Sequence, residues 1–497
     1  DENTIIDNNV YGGGNNRSNI NSTAFVYFYG TAKNVYGSGK GSLTSVSQSN
    51  INIGDNAVIK ENVYGGGDEG TTTASTLNIL GGVIGTEENS GNIFGGGNNV
   101  GVNTSIVSLK NTPTITGNIY GGSNASGTTT TSTVNISGSV ANSVYAGGKG
   151  ENTTVTNATL NVESGANIAG NAFGGSEKGT VTNSTVNLNG GYVKNAFGGS
   201  DQASITGDVK ITSLAGSSAG NIYAGCNSSG SVSSPILNLA GKADNVFGGG
   251  NATDKTQADV SGVSTITVTS DNANKISNVY GGANSSGLVK APVINIKGYA
   301  GNVYGGGYGA DTTTESPSIT TQNATVDNAY GGGNKGLVAN TNVLISSDSN
   351  IKNAFAGGNE AGVDGTVKIQ VISTATIQNM YGGSNNNGTV KNPQIQVDGS
   401  EGSIPKVTNV YGGGYGQSTV TESPVIKIDG YTTIENVYGG GNLGQTSNAS
   451  ITVGNTNNGT DTGTIDKVFA GGDQAGITGK SNVVINPSMK VTSLYGG

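Results

Sequence analysis

The chain of 497 residues contains no His, no Trp, one Cys, two Met and a single Arg, and only 11% of its residues are charged. Without His, the Ser-His-Asp and Cys-His nucleophile systems, imidazole metal sites and imidazole proton shuttles are all excluded. The lone thiol, Cys226, cannot close an internal disulfide. Lys and Arg total 23 against 32 Asp and Glu, a formal charge of −9. That balance offers no basic surface for nucleic-acid phosphates or anionic lipid. No apolar run is long enough to span a membrane in this segment, and no signal peptide or sorting motif is visible.

What is abundant is Gly, at 87 residues, together with Asn, Ser, Thr, Ala and Val. Such a composition suggests disorder until repeats are sought. A phrase of Asn, an aliphatic residue, Tyr or Phe and three small residues then recurs nineteen times. Its aromatic positions are Tyr11, Tyr36, Tyr64, Phe94, Tyr120, Tyr145, Phe173, Phe197, Tyr223, Phe247, Tyr280, Tyr304, Tyr330, Phe355, Tyr381, Tyr411, Tyr438, Phe469 and Tyr495. The spacing runs from 24 to 33 residues with a mean of about 27.

Between phrases, apolar and polar residues alternate, as in Val134-Asn135-Ile136, Val186-Asn187-Leu188 and Ile426-Lys427-Ile428. A period of two marks a strand with one buried face. Pro235, Pro292, Pro317, Pro393 and Pro424 stand just before this run, where a missing N–H does not interrupt a ladder. A third short run places Val or Ile four or five residues before the aromatic, as at Val193, Ile351, Ile377 and Ile434. No stretch has helical periodicity. One repeat cannot bury an apolar face alone, whereas stacked copies can.

The expected fold is therefore all-β: one single-stranded parallel β-solenoid over 1–497, of about 19 coils of 24–33 residues, right-handed and triangular or L-shaped in section. Rungs about 4.8 Å apart make a rod of roughly 85 to 90 Å. The intervals of 30, 33 and 31 residues before Phe94, Tyr280 and Phe469 are expected as turn insertions. A four-coil super-repeat covers about 280–380 and 381–497: Gly305-Gly306-Gly307-Tyr308-Gly309 returns as Gly412-Gly413-Gly414-Tyr415-Gly416. The chain begins and stops close to a phrase, which suggests an excerpt of a longer protein or ends that join.

Two structural columns are expected. Interchange of Tyr with Phe makes the hydroxyl dispensable, so the rings are read as an interior stack at rung spacing. Neither member of the aliphatic–aromatic pair is ever polar, although neighbours in a strand face opposite sides; a bend, a partner or an insertion must cover one of them. The Asn two before the ring, at Asn9, Asn34, Asn62, Asn92, Asn118, Asn171, Asn195, Asn221, Asn245, Asn278, Asn302, Asn328, Asn353, Asn379, Asn409 and Asn436, tolerates a left-handed bend and can bond its counterpart in the next coil. Ser143, Lys467 and Ser493 replace it.

Catalytic and cofactor readings are weaker. The Gly triplets lack the helix that a phosphate loop requires and the nine-residue period of calcium repeats. No cofactor is expected, beyond an occasional Ca²⁺ held in turns by carbonyls with Asp68, Glu69, Asp201 or Asp473. The adjacent pairs Asp68-Glu69 and Glu87-Glu88 do not flank a glycosidic bond as paired carboxylates must. Thr tracts such as 128–131 do not repeat in register as tracts, and Cys226 occupies a slot that is elsewhere Gly or Ser.

The phrases Asn62-Val63-Tyr64-Gly65-Gly66-Gly67 and Asn302-Val303-Tyr304-Gly305-Gly306-Gly307 resemble the repeats of bacterial cell-surface β-solenoids. These are the adhesin-type, pectate-lyase-like helices of autotransporters, polymorphic outer-membrane proteins and Gram-positive surface proteins. The resemblance implies a secreted, surface-attached rod with no catalytic residues; the Ca²⁺-binding Asp and catalytic Arg of pectate lyases have no counterpart here. The expected role is a non-enzymatic extracellular or cell-surface fibre or stalk, bacterial in origin, serving adhesion, matrix or display. It would associate with itself end to end or laterally, with glycans as further partners and no nucleic acid. The alternatives are a carbohydrate-binding or carbohydrate-cleaving solenoid and a phage tail fibre.

Overall fold

The computed structural model describes residues 4–252, 258–455 and 463–496. Every element among them is a strand or turn, and there is no helix. The chain divides into two compact units, one mainly Asp1–Ala243 and the other mainly Val260–Gly497. Each is a parallel β-solenoid with about 26 residues per coil.

In the first unit, each coil contributes to a ring sheet and a wall sheet. Ring-sheet strands are two residues long at first, as in Val35–Tyr36, Val63–Tyr64 and Ile93–Phe94. Wall-sheet strands are long: Ser45–Ile53, Thr71–Ile79, Ser126–Ile136 and Asn152–Val162. A narrow third sheet of Thr31–Ala32, Val58–Ile59, Val83–Ile84 and Thr114–Ile115 joins them. From Asn167–Phe173 onward, the third run and the ring run fuse into one strand, which carries a register irregularity between Ile168 and Asn171.

Register is exact in kind as well as number: Val35 pairs with Val63 and Tyr36 with Tyr64, and Leu160 pairs with Val186 and Asn161 with Asn187. The alternation seen in the sequence places Ile51, Ile53, Leu77, Ile79, Val134 and Leu160 fully inside. Burying such side chains stabilises by about 1.5–3 kcal/mol each.

The second unit breaks the wall strand in two. Val293–Ile296, Ser318–Gln322, Gln394–Gly399 and Val425–Gly430 each begin directly after a proline; Ser286–Val289 and Asp311–Thr314, of one separate sheet, precede the first two, and Asn387–Lys391 and Ser418–Glu422, of another, precede the last two. The proline slot is buried. In the first unit the corresponding slot holds Ser49, Ser75, Ser132 and Ser184, whose hydroxyls donate to the carbonyls of Gly65, Gly95, Ala146 and Gly198 at 2.5–2.6 Å. Proline fills that space without a hydroxyl, and its carbonyl still accepts from the next coil, as Pro292 does from Ser318 at 2.8 Å.

The phrase needs Gly after the ring for a steric reason. A Cβ on Gly65 would collide with the Gly95 carbonyl and the Ser75 side chain, and one on Gly305 with the Gly331 carbonyl and Pro317. Positive φ falls elsewhere: the non-Gly residues with left-handed backbone include Asn111, Asn323 and Asn392, none of them in the phrase. The left-handed bend expected at the ladder asparagines is thus absent, because these residues sit in or beside extended strands.

The extra residues before Phe94 form a small excursion closed by an antiparallel Gly85–Ser90 bridge. Part of the extra length before Tyr280 and Phe469 lies outside the described residues. In the two Gly-Gly-Gly-Tyr-Gly passages, Tyr308 meets Tyr280 edge-on at 5.6 Å and 77°, and Tyr415 meets Tyr381 at 5.9 Å and 77°.

Candidate functional site

The ring column stands on the outer side of the ring sheet. Strand alternation puts the aliphatic residue and the following Gly on one side and the ring on the other. The inward side is fixed by Gly95, whose Cβ would touch Val107 and Ser105 of the wall sheet. The rings therefore do not share the aliphatic interior, contrary to the expected interior stack, yet both members of the pair are buried, as Val63 (0%) and Tyr64 (3%) show.

The rings cover one another. In the first unit, neighbours from Tyr11 to Tyr223 lie 4.5–5.0 Å apart between centroids, with planes within 14°. In the second, the column from Phe247 to Tyr495 keeps 4.6–5.0 Å and 10°. Only the last ring, Tyr495, is widely exposed. Aromatic pairs at this separation add about 0.5–1.5 kcal/mol beyond area burial.

An amide ladder lines one edge of the column. Asn and ring are two apart in the strand and share a face, so that the Asn118 Nδ2 donates to the Tyr120 hydroxyl at 3.1 Å. In the early coils the Asn Oδ1 caps the backbone N–H of the next phrase: Asn34 accepts from Asn62 at 2.8 Å, Asn62 from Asn92 at 3.0 Å and Asn92 from Asn118 at 2.9 Å. Amide also joins amide directly in these coils, Asn34 donating to Asn9 at 3.0 Å, and does so after the strands fuse, Asn195 donating to Asn171 at 2.9 Å. In the second unit Asn278, Asn302, Asn328, Asn353, Asn379, Asn409 and Asn436 each donate to the preceding Asn at 2.8–3.0 Å. In each of these side-chain pairs the later residue is the donor. Ser143 bridges the break with its backbone N–H to Asn118 at 3.0 Å. Lys467 and Ser493 pair in register with Asn436 and Lys467 respectively.

A second ladder, not apparent from the sequence, lines the other edge. It is built by the residue after the Gly triplet. Asn98 donates to Asp68, Asn124 to Asn98 and Asn227 to Asp201, all at 2.8 Å; Asn359 donates to Asn334 and Asn385 to Asn359 at the same distance, and Asn442 to Asp473. Its residue type varies too much to show as a motif; only a search for polar residues in equal register could have found it. From this edge Glu177 accepts the Tyr120 hydroxyl, and Tyr308 and Tyr415 pack edge-on.

Burial pushes the Tyr223, Tyr304 and Tyr411 hydroxyls up to about 12. It raises those of Tyr36, Tyr64, Tyr120, Tyr145 and Tyr330 further still, and Glu177 adds to the effect at Tyr120. These hydroxyls therefore keep their protons at ordinary pH.

Comparison with family models, curated proteins and solved structures returned no match. Of the turn carboxylates suggested for Ca²⁺, Asp68, Asp201 and Asp473 accept amides in the second ladder, and Asp201 also accepts from Ser228 at 2.7 Å, while Glu69 lies beside Asp68 in the turn. Among the described residues, no three His, Cys, Asp or Glu gather closely enough to hold a metal ion. Glu87 and Glu88 lie on the excursion before Phe94. Cys226 is fully buried and its thiol, pushed up to about 12 by burial, donates to the Ala203 carbonyl at 3.2 Å. Ser123 and Ser384 fill the same slot with the same bond, to Val100 and Ala361.

Proposed function

We propose that the chain is a non-enzymatic structural protein of the bacterial exterior, a stiff fibre or stalk that serves adhesion, matrix formation or surface display. The observation that supports this reading is the use made of the chemistry-bearing side chains. Ring, Asn and post-glycine residue, the three positions that a catalytic site would draw upon, are directed at their own counterparts one coil away. Repeats bound chiefly to their neighbours make an assembly stable along its length and extendable by whole coils. Self-association, end to end or laterally, is part of this reading.

Electron microscopy of the purified chain tests the reading. The expected image is an unbranched rod of constant width, with β-sheet circular dichroism; a compact globule refutes it. A reducing-sugar assay against a polysaccharide panel is the second check, and turnover of any member removes the non-enzymatic reading.

A further inference from the structure

The outer face of the wall sheet in the first unit is a separate surface, unconnected with the ring column. Over the second half of six successive strands, from Ser45–Ile53 to Thr180–Leu188, three side chains per strand alternate outward with buried ones, in the last strand Asn183, Thr185 and Asn187. None of these eighteen positions is charged, although charged residues make up 11% of the chain. They stand in strict register: Thr133 pairs with Thr159 and Thr159 with Thr185, while Asn135, Asn161 and Asn187 form the adjoining column. The result is a grid, about 4.8 Å between rungs and about 6.7 Å between columns, whose Thr column is interrupted by Ile106 between Thr76 and Thr133.

The Asn column is tied along the face, Asn161 to Asn135 and Asn187 to Asn161 at 2.8 Å. One N–H of each amide and an acceptor lone pair remain directed at solvent, beside Thr hydroxyls that both donate and accept. At one margin, the same two columns continue into Phe25 and Tyr27, which pair with Asn50 and Asn52. These rings are 59% and 63% exposed, nearly parallel at 7°, with centroids 6.3 Å apart. At the other margin Lys210 pairs with Thr185 and ends the uncharged region.

We infer that this face binds a neutral polysaccharide, laid along the coil-stacking direction with sugar rings against Phe25 and Tyr27 and hydroxyls on the Thr and Asn columns. The reasoning is chemical. Exposed aromatic faces attract the apolar C–H faces of sugars, and fixed, pre-oriented amides and hydroxyls match a ligand that is itself a row of hydroxyls. A charged polymer would find no counter-charge here, and a protein partner would leave many Asn and Thr groups to be desolvated without fixed mates. The inference is independent of the fibre reading.

The test is affinity electrophoresis of the chain through gels containing hydroxyethyl cellulose, barley β-glucan or galactomannan, with polygalacturonate and heparin as charged controls. Retardation by at least one neutral polymer and by neither charged one is expected. Thr133→Lys/Thr159→Lys and Phe25→Ala/Tyr27→Ala should each weaken it at least tenfold, while Thr433→Lys, on an exposed position of the other unit's ring sheet, leaves it intact. Asn135→Asp adds charge without bulk and covers the case in which the double lysine variant misfolds; circular dichroism monitors all four. Retardation by none of the neutral polymers, or retardation equal in the face variants and the wild type, overturns the proposal. So does light scattering showing that the face variants abolish a dimer while no polymer is retained, since the face would then be occupied by a second copy.

Discussion

Asn353 lies mid-ladder in the second unit, where its Nδ2 donates to Asn328 at 2.8 Å and its Oδ1 accepts from Asn379 at 2.9 Å. Replacing it with Ala removes two neutral hydrogen bonds worth about 0.5–1.5 kcal/mol each and leaves an acceptor and a donor without those partners. The site is half-buried, so water relieves part of the loss. The expected cost is about 2 kcal/mol, or roughly 30-fold in a local opening constant. Because unfolding of a long repeat array need not be two-state, the measurement should be local. Hydrogen exchange of peptides spanning 350–355 should accelerate by about that factor, and those spanning 302–304 much less. Asn353→Asp adds a pH signature. Its carboxylate can still accept from Asn379 but needs a proton to donate to Asn328, so its pKa in the fold is raised above the unfolded value of about 3.9. The stability is present below that value and is lost as pH rises through the folded one. The variant should match the wild type near pH 3.5 and fall below it by pH 7. Exchange in Asn353→Ala within threefold of the wild type, or a pH-independent Asp variant, would refute the ladder's energetic role.

Thr314, Thr421 and Thr446 bury hydroxyls with no hydrogen-bond partner. Val338 occupies the equivalent place, its methyl against Gly306 as the Thr314 hydroxyl lies against Gly282, so Thr→Val at all three should stabilise by about 1 kcal/mol each and raise the melting temperature. Tyr223, Tyr304 and Tyr411, held near 12, keep their protons in the fold above the unfolded value near 10. Their contribution is intact below pH 10 and is lost between 10 and 12, so tyrosinate absorbance at 295 nm and the loss of β-sheet dichroism should rise together there. Cys226 should resist thiol reagents until denaturant is added, and Cys226→Ser should cost under about 1 kcal/mol in a denaturation series, because serine already makes the same bond at Ser123 and Ser384. Phe197→Ala, which removes a ring stacked on Phe173 and Tyr223, should destabilise by about 3–5 kcal/mol in the same series.

The coil spacing and the alternating wall strand were legible because both depend on residue classes with fixed periods: Phe197 interchanges only with Tyr, and Val186 and Leu188 bracket a polar residue. The side on which the rings lie was not legible. A two-residue strand such as Val63–Tyr64 carries no alternation to read, and burial outside the aliphatic core depends on rings 4.5–5.0 Å apart shielding one another. Nor could proline be seen as the replacement of Ser132, since Pro292 and Ser132 share only a volume pressed against the glycine after the preceding ring, Gly281 and Gly121 respectively. The second ladder was hidden because Asn98, Asp68 and Asp473 differ in charge while serving one geometric role.

In the second unit, from Asn436 back to Asn245, every ladder amide hands its proton toward the lower-numbered coil. Dipoles so aligned polarise one another, as in any chain of hydrogen bonds. The row is a one-way electrical element in a structure whose coils otherwise look alike. It gives this stretch of the stack a heading: turning one amide around would set oxygen against oxygen on one side and N–H against N–H on the other.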